Sequence, residues 1–222
     1  MRIYLVVLIC LVVKYTAYSA PYSEHEKSIR SVFNEYFNGM HHGHGESIVS
    51  LISTDSLVMY DKYAELAILA DKEKLLAENI VTITKVIKFR FLIPSNKIST
   101  MNGKDLFVFA ANNKHQQTAV LIPVIPKIKS INVSRESAVA TYTKNDSSSS
   151  LPMYFLIEEG IWKIHLTPFL DKASSFLEIQ RVSNKFSKDK FAFHLLSGEK
   201  QLNFRPDKTL WLPASDHSLI KP

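Results

Sequence analysis

The chain has 222 residues, 46% of them hydrophobic and 22% charged, with a formal net charge of +6. Thirteen Phe and nine Tyr supply too much apolar area for a disordered chain. The length is enough for one sizeable core, and the charge excess carries no nucleic-acid-binding motif with it.

Arg2 is a short positive segment, Ile3 to Val13 is an uncharged apolar run, and Lys14 closes it. Roughly 20 apolar residues are needed to span a bilayer, so this run is too short for a membrane helix and reads as the core of a secretory signal. Ala17-Tyr18-Ser19 places small residues at −3 and −1 for a cut before Ala20. The expectation is a signal peptide over 1–19 and a secreted or periplasmic mature protein. Cys10 is the only cysteine and lies in that leader, behind Ile9 rather than the small residue a lipid anchor requires. Its removal excludes disulfides, thiol catalysis and thiolate metal sites from the mature chain. Removing the two basic leader residues leaves a formal charge of +4, with the positive bias concentrated between Arg181 and Lys208.

The mature chain opens on Ser23-Glu24-His25-Glu26, a capping box. Ile29, Val32, Phe33, Tyr36, Phe37 and Met40 follow at helical spacing, with Gly39 and Gly43 marking the far end. Residues 46–79 read as two or three short helices joined by turns. Val81 to Leu92 reads as a strand, because its second half alternates and β-branched and aromatic residues fill it. Met101 to Lys104 reads as a turn. Leu106 to Ala111, Thr118 to Ile125, Lys127 to Val133, Ser137 to Thr143, Met153 to Glu158 and Ile161 to Leu166 read as further strands. Asn145 to Ser150 reads as a loop. After Pro168 helical spacing returns with Phe176, Ile179, Val182 and Phe186, and a second short helix runs from Ser187 to Gly198. Helices followed by a run of antiparallel strands make an α+β protein: a domain over 23–168 and a C-terminal helical extension and tail over 169–222.

Three stretches carry a family resemblance. Ile29-x-x-Val32-Phe33-x-x-Tyr36-Phe37 forms the opening helix. Asp55 follows Gly43-His44 at a spacing of about eleven residues, with Gly43-His44 in place of Gly-Asp. Glu158-Glu159-Gly160-Ile161-Trp162-Lys163-Ile164 forms the closing strand. On these residues the stretch from Ile29 to about Leu166 resembles the nuclear transport factor 2-like superfamily. That resemblance implies a cone-like α+β barrel, with N-terminal helices packed on a strongly curved antiparallel sheet and an apolar cavity between them.

Within such a cavity, carboxylates, His and Tyr can do acid–base work. The catalytic candidates are Asp55, Tyr60, Tyr63 and His165, with Asp61 nearby; Tyr36, Tyr60, Tyr63, Tyr154 and Trp162 are the candidate pocket lining. Asp55 also reads as a helix cap. His41, His42 and His44 are metal-ligand candidates by residue type, but adjacent residues point apart and Gly43 and Gly45 loosen the turn. The chain has no Gly-x-Ser-x-Gly, P-loop, Gly-x-Gly-x-x-Gly or His-Glu-x-x-His pattern. No cofactor is expected. The leading expectation is a non-catalytic exported domain that binds a small ligand or a protein partner, with a homodimer among the options. The alternatives are a metal-independent isomerase, dehydratase or cyclase and a His-cluster metal binder.

Overall fold

The computed structural model describes residues 23–113, 126–143, 150–199, 202–205 and 207–217. The leader, the strand expected over 118–125 and most of the 145–150 loop lie outside these residues.

Helix α1 (Glu24–His42) opens with the Ser23/Glu26 capping box and ends at Gly43 in the left-handed conformation. Its apolar stripe is buried at Ile29, Val32, Phe33, Tyr36 and Phe37. Helix α2 (Gly45–Ile48) and a 3-10 turn (Val49–Leu51) lead into α3 (Thr54–Leu69), whose N-cap is Ser53 rather than Asp55. Helix α4 (Lys72–Ala77) is capped by Asp71.

The next element departs from expectation. Residues Ile80–Leu92 form helix α5, capped by the Asn79 side chain on the Thr82 amide at 2.9 Å. β-Branched residues favour strands only weakly when tertiary packing pulls the other way. Here α5 packs against α3, α8 and α9, so its apolar residues are buried on nearly every side. Lys88 and Arg90, which had looked like the solvent face of a strand, are 3% and 7% exposed. Helix α6 (Ser95–Ile98) follows. The turn at Met101–Lys104 is the start of α7 (Gly103–Asn112), opened by an Asn102/Asp105 capping box; the strand expected over 106–111 is therefore also helical. A six-residue apolar run has no period of its own that separates a strand from a buried helix.

Four strands then form an open antiparallel meander: β1 (Lys127–Ser134), β2 (Ser137–Thr143), β3 (Ser150–Glu158) and β4 (Ile161–His165), in that spatial order. Ile52 makes a parallel bridge to Ile164 beyond the β4 edge. Alternation sends Ala138, Ala140, Tyr142, Met153, Phe155, Trp162 and Ile164 to one buried face. α1 lies against that face, with Phe33 and Phe37 each 5.5 Å from the Tyr142 ring. Helix α8 (Thr167–Ser183), α9 (Lys188–Ser197), a 3-10 turn (Lys208–Trp211) and α10 (Ala214–His217) complete the described residues. The architecture is α+β, with helices α1 to α7 preceding the sheet and α8 to α10 following it. No helix among the described residues is long and apolar enough to cross a membrane.

Candidate functional site

The tyrosines expected to line one pocket divide between two places. Tyr60 and Tyr63 sit three residues apart on α3 and share a helix face. Their rings are 5.5 Å apart, and Tyr60 lies 5.4 Å from Phe107 of α7. Tyr36 of α1 packs beside Phe37 at 5.3 Å. Burial pushes the Tyr36 and Tyr60 phenols far above the ordinary range, and neighbouring phenols add to it: Tyr60 and Tyr142 on Tyr36, Tyr63 on Tyr60. Tyr63 is pushed up to about 12, chiefly by burial, with a hydrogen bond from the Thr82 side chain opposing. Phenols held neutral so far above pH 7 donate hydrogen bonds and fill space; they do not act as bases at neutral pH.

Trp162 and Tyr154 are separated by the sheet. Tyr154 pairs directly with His165, and Trp162 pairs with Ile157. Trp162 and His165 are three positions apart in β4, an odd offset, so the two point to opposite faces. Trp162 is in the core, where its indole N–H donates to His25 Nδ1 at 3.3 Å. Tyr154 stands on the other face, with the Lys172 ammonium of α8 on its hydroxyl and 5.1 Å from its ring centre.

Asp55 and His165 do come together. Thr54 binds Glu158 through its amide (2.8 Å) and hydroxyl (3.0 Å), and the Ser53 amide donates to the Ile164 carbonyl at 2.9 Å. These bonds fasten the start of α3 to the β3–β4 hairpin, where a carboxylate also complements the positive helix end. His165 Nε2 consequently lies 3.9 Å from Asp55 Oδ2. The Asp55 side chain is 71% exposed, however, so water screens the pair. Ser53 and Ser56 beside it are buried and engaged: their hydroxyls share a 2.8 Å bond, and Ser56 Oγ accepts from the Leu166 amide. Asp61 accepts from the Gly103 amide at 2.5 Å and thereby joins α3 to α7.

His41, His42 and His44 cluster at the end of α1, with rings 4.9 and 5.7 Å apart in sequence order. His42 Nδ1 is 2.8 Å from the Asn38 carbonyl, which takes that nitrogen as a donor. Among the described residues no three His, Cys, Asp or Glu side chains are placed to hold a metal ion.

Sequence reasoning missed the charged residues of α5 because it placed them on a strand; Asn79 ahead of an apolar run was the signal that marks a helix start. Arg90 binds the carbonyls that end α3: Nη2 to Leu66 (2.8 Å) and Ala70 (2.5 Å), Nε to Ala67 (2.9 Å), and Nη1 to Leu210 at 3.1 Å. It neutralises the negative end of α3 and also lines a cavity of about 290 Å³ with Phe91 to Ser95 and Ala214. Burial lowers its guanidinium to about 10, with Asp216 and Asp71 opposing. Helix α8 presents a different feature. Phe176, Ile179 and Val182 are 60%, 64% and 59% exposed, an apolar stripe facing water.

Compared with known protein families, with characterised proteins and with solved structures, the chain matches none.

Proposed function

We propose that this chain is an exported, non-catalytic α+β domain of the nuclear transport factor 2-like kind, which works by binding through the exposed face of α8, and that a second copy of the chain is the occupant. The export step rests on the apolar run Ile3 to Val13. The family reading rests on α1 seated against the sheet, and strong curvature of that sheet belongs to the same proposal. The non-catalytic reading is supported by the candidate acid–base groups, which are either packed in the core or open to water.

The α8 stripe carries the binding reading, since large apolar side chains standing together in water mark contact surfaces. Its pattern is palindromic about Ile179: Phe176 and Val182 lie three residues to either side, and Ser175 and Ser183 four. An antiparallel two-fold pairing therefore sets Ile179 on Ile179 and Phe176 on Val182 of the second copy, with small serines where the helices approach. Glu178 and Arg181 beside the stripe already neutralise each other through two bonds, at 2.7 and 2.9 Å.

The patch measures on the order of a few hundred Å² per copy, against about 800 Å² per partner in a stable complex. The pairing is therefore weak, with a dissociation constant of about micromolar order or above. Light scattering across a concentration series is expected to show reversible dimerisation that Ile179→Asp abolishes without lowering the unfolding temperature. A wild-type protein that stays monomeric throughout, or an Ile179→Asp protein that dimerises as before, overturns the reading.

A further inference from the structure

Arg90 carries a buried charge that is held by neutral groups. The residue is 7% exposed, and its partners are the carbonyls of Leu66, Ala67, Ala70 and Leu210. Among the described residues no carboxylate comes within ion-pair distance of it; Asp216 and Asp71 act on it from farther off. A guanidinium satisfied by carbonyls alone keeps its full positive charge in a poorly solvated place. It also keeps a donor. Four of its five N–H groups are engaged, and the remaining one is on Nη1, the nitrogen that holds the Leu210 carbonyl. Leu210 stands four residues before Ala214, and Ala214 and Arg90 both line the cavity of about 290 Å³.

The rest of the cavity wall has the complementary shortage. It is made by the end of α5 and the turn into α6. The last backbone bond of α5 runs from the Ile93 amide to the Phe89 carbonyl. The Arg90 carbonyl would next take the amide of residue 94, which is proline and has none. Among the described residues no donor reaches the carbonyls of Phe91 and Leu92. Such a helix end carries partial negative charge. One cavity therefore joins a cation without an anion, acceptors without a donor, and the apolar groups of Phe91, Ile93 and Pro94.

We propose that this cavity binds a small apolar α-amino acid as its zwitterion. The carboxylate takes the free N–H of Arg90 Nη1, the ammonium meets the carbonyls that end α5, and the side chain lies against Phe91, Ile93 and Pro94. A plain carboxylate offers those carbonyls nothing, and a plain amine is repelled by the guanidinium. The volume is at the lower end of the range for ligand pockets, about 300–1,000 Å³, which matches a ligand of this size. The site does not depend on α8 pairing.

Titrating L-leucine into the folded, isotope-labelled wild-type chain and following backbone amide resonances tests it. Saturable shifts are expected at Phe91, Leu92, Ile93, Ser95 and Ala214, with a dissociation constant of about millimolar order. 4-Methylvalerate lacks the ammonium and isopentylamine lacks the carboxylate; each is expected to bind at least about tenfold more weakly, since each loses a charge-assisted hydrogen bond. Ala214→Met leaves Arg90 in place, fills the cavity, and should abolish the shifts. Absence of saturable shifts at these residues in the wild type overturns the proposal. So does either fragment binding as well as leucine. The wild-type arms need no variant, so a misfolded Ala214→Met protein leaves the test intact.

Discussion

Replacing Arg90 with Met should be among the most damaging single changes in this protein. The substitution keeps most of the buried stem but removes donors from four carbonyls, those of Leu66, Ala67, Ala70 and Leu210. Three of these belong to the C-terminal end of α3, which also loses the cation set against its dipole. A hydrogen bond to a charged group contributes about 1.5–3 kcal/mol, and stranding a buried polar network costs about 3–5 kcal/mol in all. Two effects reduce the loss. Burying the guanidinium was itself costly, and the adjoining cavity of about 290 Å³ lets water reach part of the site. The balance is about 3 kcal/mol, which for a domain of this size lowers the unfolding temperature by roughly 6–12 °C. Arg90→Lys should recover less than half, because an ammonium cannot reach carbonyls spread over a planar fork. Urea unfolding followed by far-ultraviolet circular dichroism measures both variants. A loss below about 1 kcal/mol for Arg90→Met would mean that water replaces the guanidinium freely and that the cap contributes little to stability.

Gly103→Ala places a Cβ 2.4 Å from the Asp61 amide nitrogen and 2.6 Å from the Leu57 carbonyl, so α7 must move away from α3. A cost of about 2–3 kcal/mol in the same denaturation assay is expected. Stability should rise with pH between about 8 and 10. Lys85 titrates near 8 when folded and at 10.5 in the ordinary chain, so the unfolded state binds more protons across that interval. Above pH 10 the sign reverses: the raised phenols of Tyr36, Tyr60, Tyr63 and Tyr142 keep protons that the unfolded chain releases, and four of them outweigh the opposite contribution of Arg90. Denaturation midpoints across this range should pass through a maximum, and Lys85→Met should flatten the rising limb. Calorimetric titration with zinc should give the same weak heats for the native protein and for a variant with His41, His42 and His44 all changed to Ala; stoichiometric binding lost in the variant would show that the histidine cluster rearranges to hold metal.

Some of the architecture is local and was therefore readable. Ser23 and Glu26 cap α1 by contacts within four residues, and the stripe from Ile29 to Phe37 shows its buried face by spacing alone. The four strands of the meander and the helix between Ser187 and Gly198 were equally visible, since turn residues punctuate them. The proximity of Asp55 and His165 depends on Glu158 and Ser53 joining segments a hundred residues apart, which no spacing records. Helix α5 is the instructive failure. Alternation identifies a strand only where one face meets water, and α5 has no such face because α3, α8 and α9 enclose it. The same enclosure turned Lys88 and Arg90 from apparent surface charges into interior ones. Phe176, Ile179 and Val182 share helical spacing in the sequence, and the structure leaves all three exposed. By itself the sequence determined the caps, the turns and the period of its clearest elements, all set by neighbours along the chain. Which faces are buried, and which charges lose their water, was decided only by the tertiary structure, because burial depends on what distant segments bring to each surface.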